Sequence, residues 1–144
     1  MLEQNYANHR RFVPLYHFIL FGLLALSLIG SIVNLVESFV SGIGIYNASL
    51  IFMIFICLLL VFYFIRIFPL KAQDRIIKLE ENFRSYVMTG KTLDPKLTIR
   101  QIIGLRFAGD DEFNALAQKA AAENISEVDI KKMVKNWKAD NDRM

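Results

Sequence analysis

Residues 15–36 read LYHFILFGLLALSLIGSIVNLV, and residues 50–65 read LIFMIFICLLLVFYFI. A bilayer core takes about 20 mostly apolar residues of helix, at about 1.5 Å rise per residue. The first run has that length as it stands. The second reaches it through Arg66 to Phe68, because an arginine near a helix end can carry its guanidinium to the headgroups. The two runs predict an all-α protein: a transmembrane helical hairpin over 15–68, followed by a small cytoplasmic helical bundle. The spans fall at about 15–36 and 49–68, a segment 1–14 precedes them, and the bundle occupies 69–144.

The 144 residues leave room for the hairpin and one small domain. Of the 17 basic and 14 acidic residues, 14 and 12 lie beyond Phe68. That near balance speaks against a nucleic-acid partner. Cys57 is the single cysteine and lies inside the second run, so it is expected to pack as a small apolar residue. Arg10 and Arg11 precede an apolar run, as in a secretory signal. The run is 22 residues long, however, and a second follows, so an uncleaved span is expected.

Charge sets the expected orientation. His9, Arg10 and Arg11 lie before the first span, and Arg66, Lys71, Arg75 and Lys78 lie at or after the second. The connecting segment, Glu37 to Ser49, has no Lys or Arg. Short loops rich in Lys and Arg stay inside the cell, which places both termini in the cytoplasm. Tyr16 and Tyr46 fall near the interfaces, where amphipathic rings settle.

At about 100° per residue, Ser27, Gly30, Ser31 and Asn34 share one side of the first span. Small and hydrogen-bonding residues allow close helix contact in lipid, so these four are the candidate packing or oligomerisation face. The second span is rich in Phe and Leu, which predicts a large-against-small pairing. His9, Arg10, Arg11 and His17 are candidate contacts for lipid headgroups or a partner.

Beyond the spans, Pro69 is expected to end or bend the second helix. An amphipathic helix over 70–88 follows, with Ile76, Leu79, Phe83, Tyr86 and Val87 as its packing stripe. Asp74 with Lys78 and Glu80 with Arg84 are its expected ion pairs. Three shorter helices come next. One starts at Thr98, carries Ile99, Ile102, Ile103 and Phe107, and ends at Gly109. Another opens on Asp110-Asp111-Glu112, acids that suit a helix N-terminus, with Phe113, Leu116, Ala117 and Ala120 as its face and Asn124 as C-cap. The last starts at Ser126, with Ile130, Met133, Val134 and Trp137 inward and Lys131, Lys132, Lys135 and Lys138 forming a solvated strip.

Several strings together carry a family resemblance: Gln4-Asn5-Tyr6, Asn8-His9, Pro14-Leu15-Tyr16-His17, Lys71-Ala72-Gln73-Asp74-Arg75, Leu93-Asp94-Pro95, Arg100-Gln101-Ile102-Ile103, Leu105-Arg106-Phe107-Ala108 and Trp137-Lys138-Ala139-Asp140. The chain resembles an uncharacterised family of small two-span bacterial membrane proteins, some of which carry the label "ABC transporter permease". The resemblance implies the architecture and a bacterial inner-membrane location, and brings no catalytic residues. Two spans are few for a permease, and no GxxxxGK[ST] loop is present to bind a nucleotide.

No nucleophile elbow, zinc signature or dinucleotide fingerprint occurs. His9 and His17 would lie about 12 Å apart on a continuous helix, too far to share a metal. No cofactor or metal is therefore expected, and a haem held by His17 would need a second chain. The sequence points to a non-enzymatic membrane-anchored adaptor or accessory subunit. Its expected partners are the bilayer and either a second copy or another membrane protein. The alternative is a subunit of a transport assembly with Ser27, Ser31 and Asn34 along the path.

Overall fold

The computed structural model describes residues 4–6, 8 and 13–139, and His9, Arg10 and Arg11 lie outside the described residues. Within them the protein is all-helical. A single π-helical segment, Leu15–Leu20, leads into α1 (Phe21–Ser41). Four further helices follow: α2 (Ile45–Thr89), α3 (Ile99–Leu105), α4 (Asp110–Glu123) and α5 (Glu127–Met133).

The chain divides into two compact units that meet between Pro69 and Leu70. The first is the apolar hairpin, Phe12–Pro69. Its turn is tighter than the sequence suggests: α1 runs to Ser41, α2 starts at Ile45, and Gly42 and Gly44 turn the chain with φ of 73° and 72°. Only glycine adopts that left-handed backbone without strain, so a connection expected over Glu37 to Ser49 shrinks to three residues. The covered or half-covered positions include a row of Leu24, Leu28, Ser31, Leu35 and Ser38 on α1 and a row of Ile45, Ala48, Phe52, Phe55, Leu59 and Phe62 on α2. Both sets step by three and four, the spacing of two helices packed at a shallow left-handed angle. Near the open end, Tyr16 stacks on Phe62 at 4.4 Å and donates its hydroxyl to the Phe62 carbonyl at 2.6 Å.

Pro69 does not end the second helix. α2 continues through it to Thr89. Proline removes one N–H and crowds the carbonyl four residues back, but the strong helix formers from Leu70 to Arg84 resume the ladder at once.

The second unit begins at Leu70. Its core is Leu93, Leu97, Ile102, Leu105, Ala108, Phe113, Ala117, Ala120, Ile130 and Val134. Thr98 caps α3 by a reciprocal box with Gln101: the Thr98 side chain accepts from the Gln101 N–H, and the Gln101 carboxamide oxygen accepts from the Thr98 N–H. Asn124, with φ 50°, closes α4, and Ser126 caps α5 by accepting from the Asp129 N–H.

Two short helices stop earlier than their apolar patterns suggest. α3 ends at Leu105, not Gly109. α5 ends at Met133 because Val134 turns to an extended backbone (φ −63°, ψ 121°). The chain then runs back beside residues 107–109, where the Lys138 N–H donates to the Phe107 carbonyl and the Gly109 N–H to the Asn136 carbonyl. Trp137 thus packs on Phe107 from a bridge with Ala108, and not from a helix face.

α3 and α5 cross at Gly104. A Cβ there would meet the Glu127 carbonyl oxygen at 3.1 Å and Ile130 Cγ2 at 3.2 Å. Gly104→Ala is expected to cost about 1–3 kcal/mol through overpacking. Thermal unfolding followed by Trp137 fluorescence would read it, and an unchanged midpoint would show that the crossing has slack.

Candidate functional site

The first candidate surface lies on α1. Serine, glycine and asparagine leave the helix surface shallow, and the structure divides the four predicted residues. Ser31 is buried on the seam with α2 and donates to its own Leu28 carbonyl at 2.7 Å, and Ser38 is buried further along. Ser27, Gly30 and Asn34 lie beside this seam and are exposed. A Cβ at Gly30 would meet nothing within 4 Å, so α2 does not use that opening. The periodicity alone could not reveal the split, since all four fall within one arc.

At the open end, His17 turns along its own helix. Its Nδ1 lies 3.0 Å from the Val13 carbonyl, and its ring meets Tyr16 edge-on at 5.2 Å. The π-helical turn that holds both residues left no signal in the hydropathy pattern.

The second candidate surface is the helical domain, which Arg84 organises. The guanidinium is fork-shaped and carries five donors. Its Nε and Nη2 donate to Asp110 Oδ1 at 2.8 and 2.5 Å, its Nη2 also donates to the Ala108 carbonyl at 2.7 Å, and its Nη1 donates to Glu81 Oε2 at 3.1 Å. Its carbon lies 4.2 Å over the Phe113 ring. The expected pair of Glu80 with Arg84 therefore does not form. Residue 81, not 80, faces the loop that enters α4. Among the described residues Asp74 and Lys78 form no ion pair either.

The acids at the start of α4 work across the fold. Gly109 is the N-cap and makes no side-chain cap. Asp110 holds Arg84, and Glu112 accepts from the backbone N–H groups of Lys135 and Asn136 at 3.0 and 2.9 Å. Gln101 is buried and donates to the Ile125 carbonyl at 2.9 Å and to Asn124 Oδ1 at 3.2 Å. The basic strip is also divided. Lys131 is buried, pairs with Glu127 at 2.6 Å and approaches the Phe107 ring, whereas Lys132 is exposed.

Arg84 pulls its two carboxylates in different directions. It holds Asp110 below the usual carboxylate range by hydrogen bonding and charge. Burial pushes Glu81 up, and Arg84 only partly offsets this. A lowered acid contributes stability that is present above its unfolded pKa and lost as pH falls through its folded one. A raised acid contributes stability that is present below its unfolded pKa and lost as pH rises through its folded one. Asp110→Asn is thus expected to flatten the acid-side fall of the unfolding midpoint, and Glu81→Gln to flatten a decline on the weakly acidic side. A melting series from pH 3 to pH 7 reads both. Parallel curves for wild type and both variants would contradict the assignment.

An open groove of about 450 Å³ runs between the end of α2, the Lys91–Leu97 loop and α4, lined by Ser85, Thr89, Asp94, Lys96, Asn114 and Gln118 among others. Among the described residues no group of three His, Cys, Asp or Glu side chains is placed to hold a metal ion.

In comparisons with known proteins, the model of one protein family matches the chain over residues 1–144, and that family is described as one of unknown function. No match to the chain was found among curated proteins or among solved structures.

Proposed function

The chain belongs to that family of unknown function (DUF6526), and we propose from its own geometry that it is a non-enzymatic integral membrane protein of the bacterial inner membrane. Its hairpin threads the bilayer twice, and its helical domain is an interaction module in the cytoplasm. One observation carries this reading. The two long helices have apolar windows of mean hydropathy 2.4 and 2.9, yet only 6% of each window is buried within the chain. A helix in the core of a water-soluble protein hides such a surface. A helix in lipid leaves it exposed, since hydrocarbon solvates it and the backbone is satisfied internally.

The Gly42–Gly44 turn carries no charge, while Arg66, Lys71, Arg75 and Lys78 gather midway along α2, where its apolar stretch ends. This distribution supports a turn outside and a helical domain inside. Ser27, Gly30 and Asn34 are the shallow, exposed part of α1 that a second membrane helix would cover. The arrangement of Arg84, Gln101 and Glu112 holds the domain together through side chains already committed to one another, which suits a docking module more than a reaction centre.

The test is fractionation with reporter fusions. The full chain should stay in the membrane pellet at alkaline carbonate, with reporters at both termini active only in the cytoplasm. Release of the intact chain by carbonate, or termini on opposite sides, would overturn the reading.

A further inference from the structure

Beyond Pro69, α2 turns its apolar side away from its own domain. Ile76, Leu79, Phe83, Tyr86 and Val87, predicted as a packing stripe, are 55, 72, 67, 56 and 68% exposed, while Ile77, Glu81 and Ser85 are buried. The helix carries charge and hydroxyl inward because Arg84, Glu81 and Ser85 meet hydrogen-bond partners there. Five large apolar side chains on an exposed helix face form a patch of the kind that marks an interaction site.

The spacing and the flanking charges point to the occupant. Ile76, Leu79, Phe83 and Tyr86 step by three, four and three, which is the a–d seam of a coiled coil. Exposed Ile54, Leu58, Val61, Ile65 and Phe68 form a second row with three- and four-residue steps earlier on α2, and two successive four-residue steps through Ala72 join it to Ile76, an offset that breaks the heptad register there. With Ile76 and Phe83 at a, Glu80 takes position e and Arg75 the preceding g. In a parallel two-stranded pairing, g of one helix meets e of the other five residues on. Arg75 then faces Glu80 of the partner subunit, and the two-fold axis repeats this opposite-charge pair on the other side of the seam. Within one chain the two lie about 140° apart around the helix, and neither takes part in an ion pair among the described residues.

A lipid surface fits less well. Helices that lie in the interface keep a Lys- and Arg-rich face in water, whereas here the opposite face, with Glu81 and Ser85, is buried.

We propose that this face of α2 binds a second copy of the chain in parallel register, with Arg75 and Glu80 fixing the pairing. The proposal rests on the reading of α2 as a membrane-spanning helix, since a shared orientation in the bilayer makes pairing of copies parallel.

The test is oxidative cross-linking of the full chain in native membranes, in a Cys57→Ser background. Ile76→Cys, Leu79→Cys and Tyr86→Cys should each shift the chain to twice its monomer mass, because a disulfide needs Cα atoms within about 6 Å. Ile76 and Tyr86, about 15 Å apart along the helix, can both pair with their own twins only if the helices are parallel. Lys78→Cys, on another face, should stay monomeric. Arg75→Glu alone and Glu80→Arg alone should each reduce the Leu79→Cys dimer, and the two together should restore it. Absence of dimer at all three seam positions overturns the proposal, as does equal dimer at Lys78. So does an environment-sensitive probe at Leu79→Cys that reports lipid contact while no dimer forms. Carbonate extraction of the same membranes separates the two failures. Extracted protein that still cross-links removes the membrane reading, and retained protein that does not cross-link removes the dimer.

Discussion

Arg84→Met is expected to lower the stability of the helical domain by about 3–5 kcal/mol, the usual consequence of removing one partner from a buried charge pair. The methionine keeps the apolar stem against Phe113 but removes every donor. Glu81, only 6% exposed, then loses its cation and must either stay charged without a partner or take up a proton, and both cost stability. The Ala108 carbonyl also loses its 2.7 Å donor, and Asp110 loses the group that tied the α4 entrance to α2. The measurement is the unfolding midpoint of the full chain in detergent, followed through Trp137, the single tryptophan. Adding Glu81→Gln should recover part of the loss, because a neutral amide no longer demands a counter-charge. If Arg84→Met melts with wild type, the contacts seen here are not what holds α2 to the domain.

Phe107→Ala should have an effect of similar size, about 3–5 kcal/mol for a large aromatic deleted from a closed core. Phe107 is fully buried, and its ring centroid lies 4.8 Å from that of Trp137. The ring also lies beneath the Arg106 guanidinium at 4.6 Å and near Lys131 Nζ. Its removal frees one side of the indole, and the returning segment keeps its hydrogen bonds to residues 107, 109 and 112. Besides a lower midpoint, the tryptophan emission of the folded state should shift to the red. A lower midpoint with unshifted emission would place the loss in the helices and leave the return segment intact.

The helical domain shows where sequence reasoning stops. Thr98, Asn124 and Ser126 mark helix starts and stops because capping is local chemistry within three or four residues. The end of α5 and the return of Trp137 are not local. They follow from hydrogen bonds to residues 107, 109 and 112, between 23 and 31 residues earlier, and the 3.6-residue period of Ile130, Met133, Val134 and Trp137 mimics a longer helix. Gln101, read only as part of a family string, is a buried tie between two helix ends because the fold places Asn124 and Ile125 against it.

The candidate surfaces divide the same way. Composition alone shows that the two long runs have a length and hydropathy suited to hydrocarbon, since the cost of leaving such surface in water depends on its area and not on what it touches. The amphipathic pattern likewise fixes that residues 70–89 have one apolar side and one polar side. Which side meets the protein's own core is a tertiary matter. Arg84 reaches Asp110 and the Ala108 carbonyl only if its face turns inward, and that choice leaves Ile76, Leu79 and Phe83 outside. Periodicity measures the contrast between two faces, and only the partners supplied by the rest of the chain decide which face is covered.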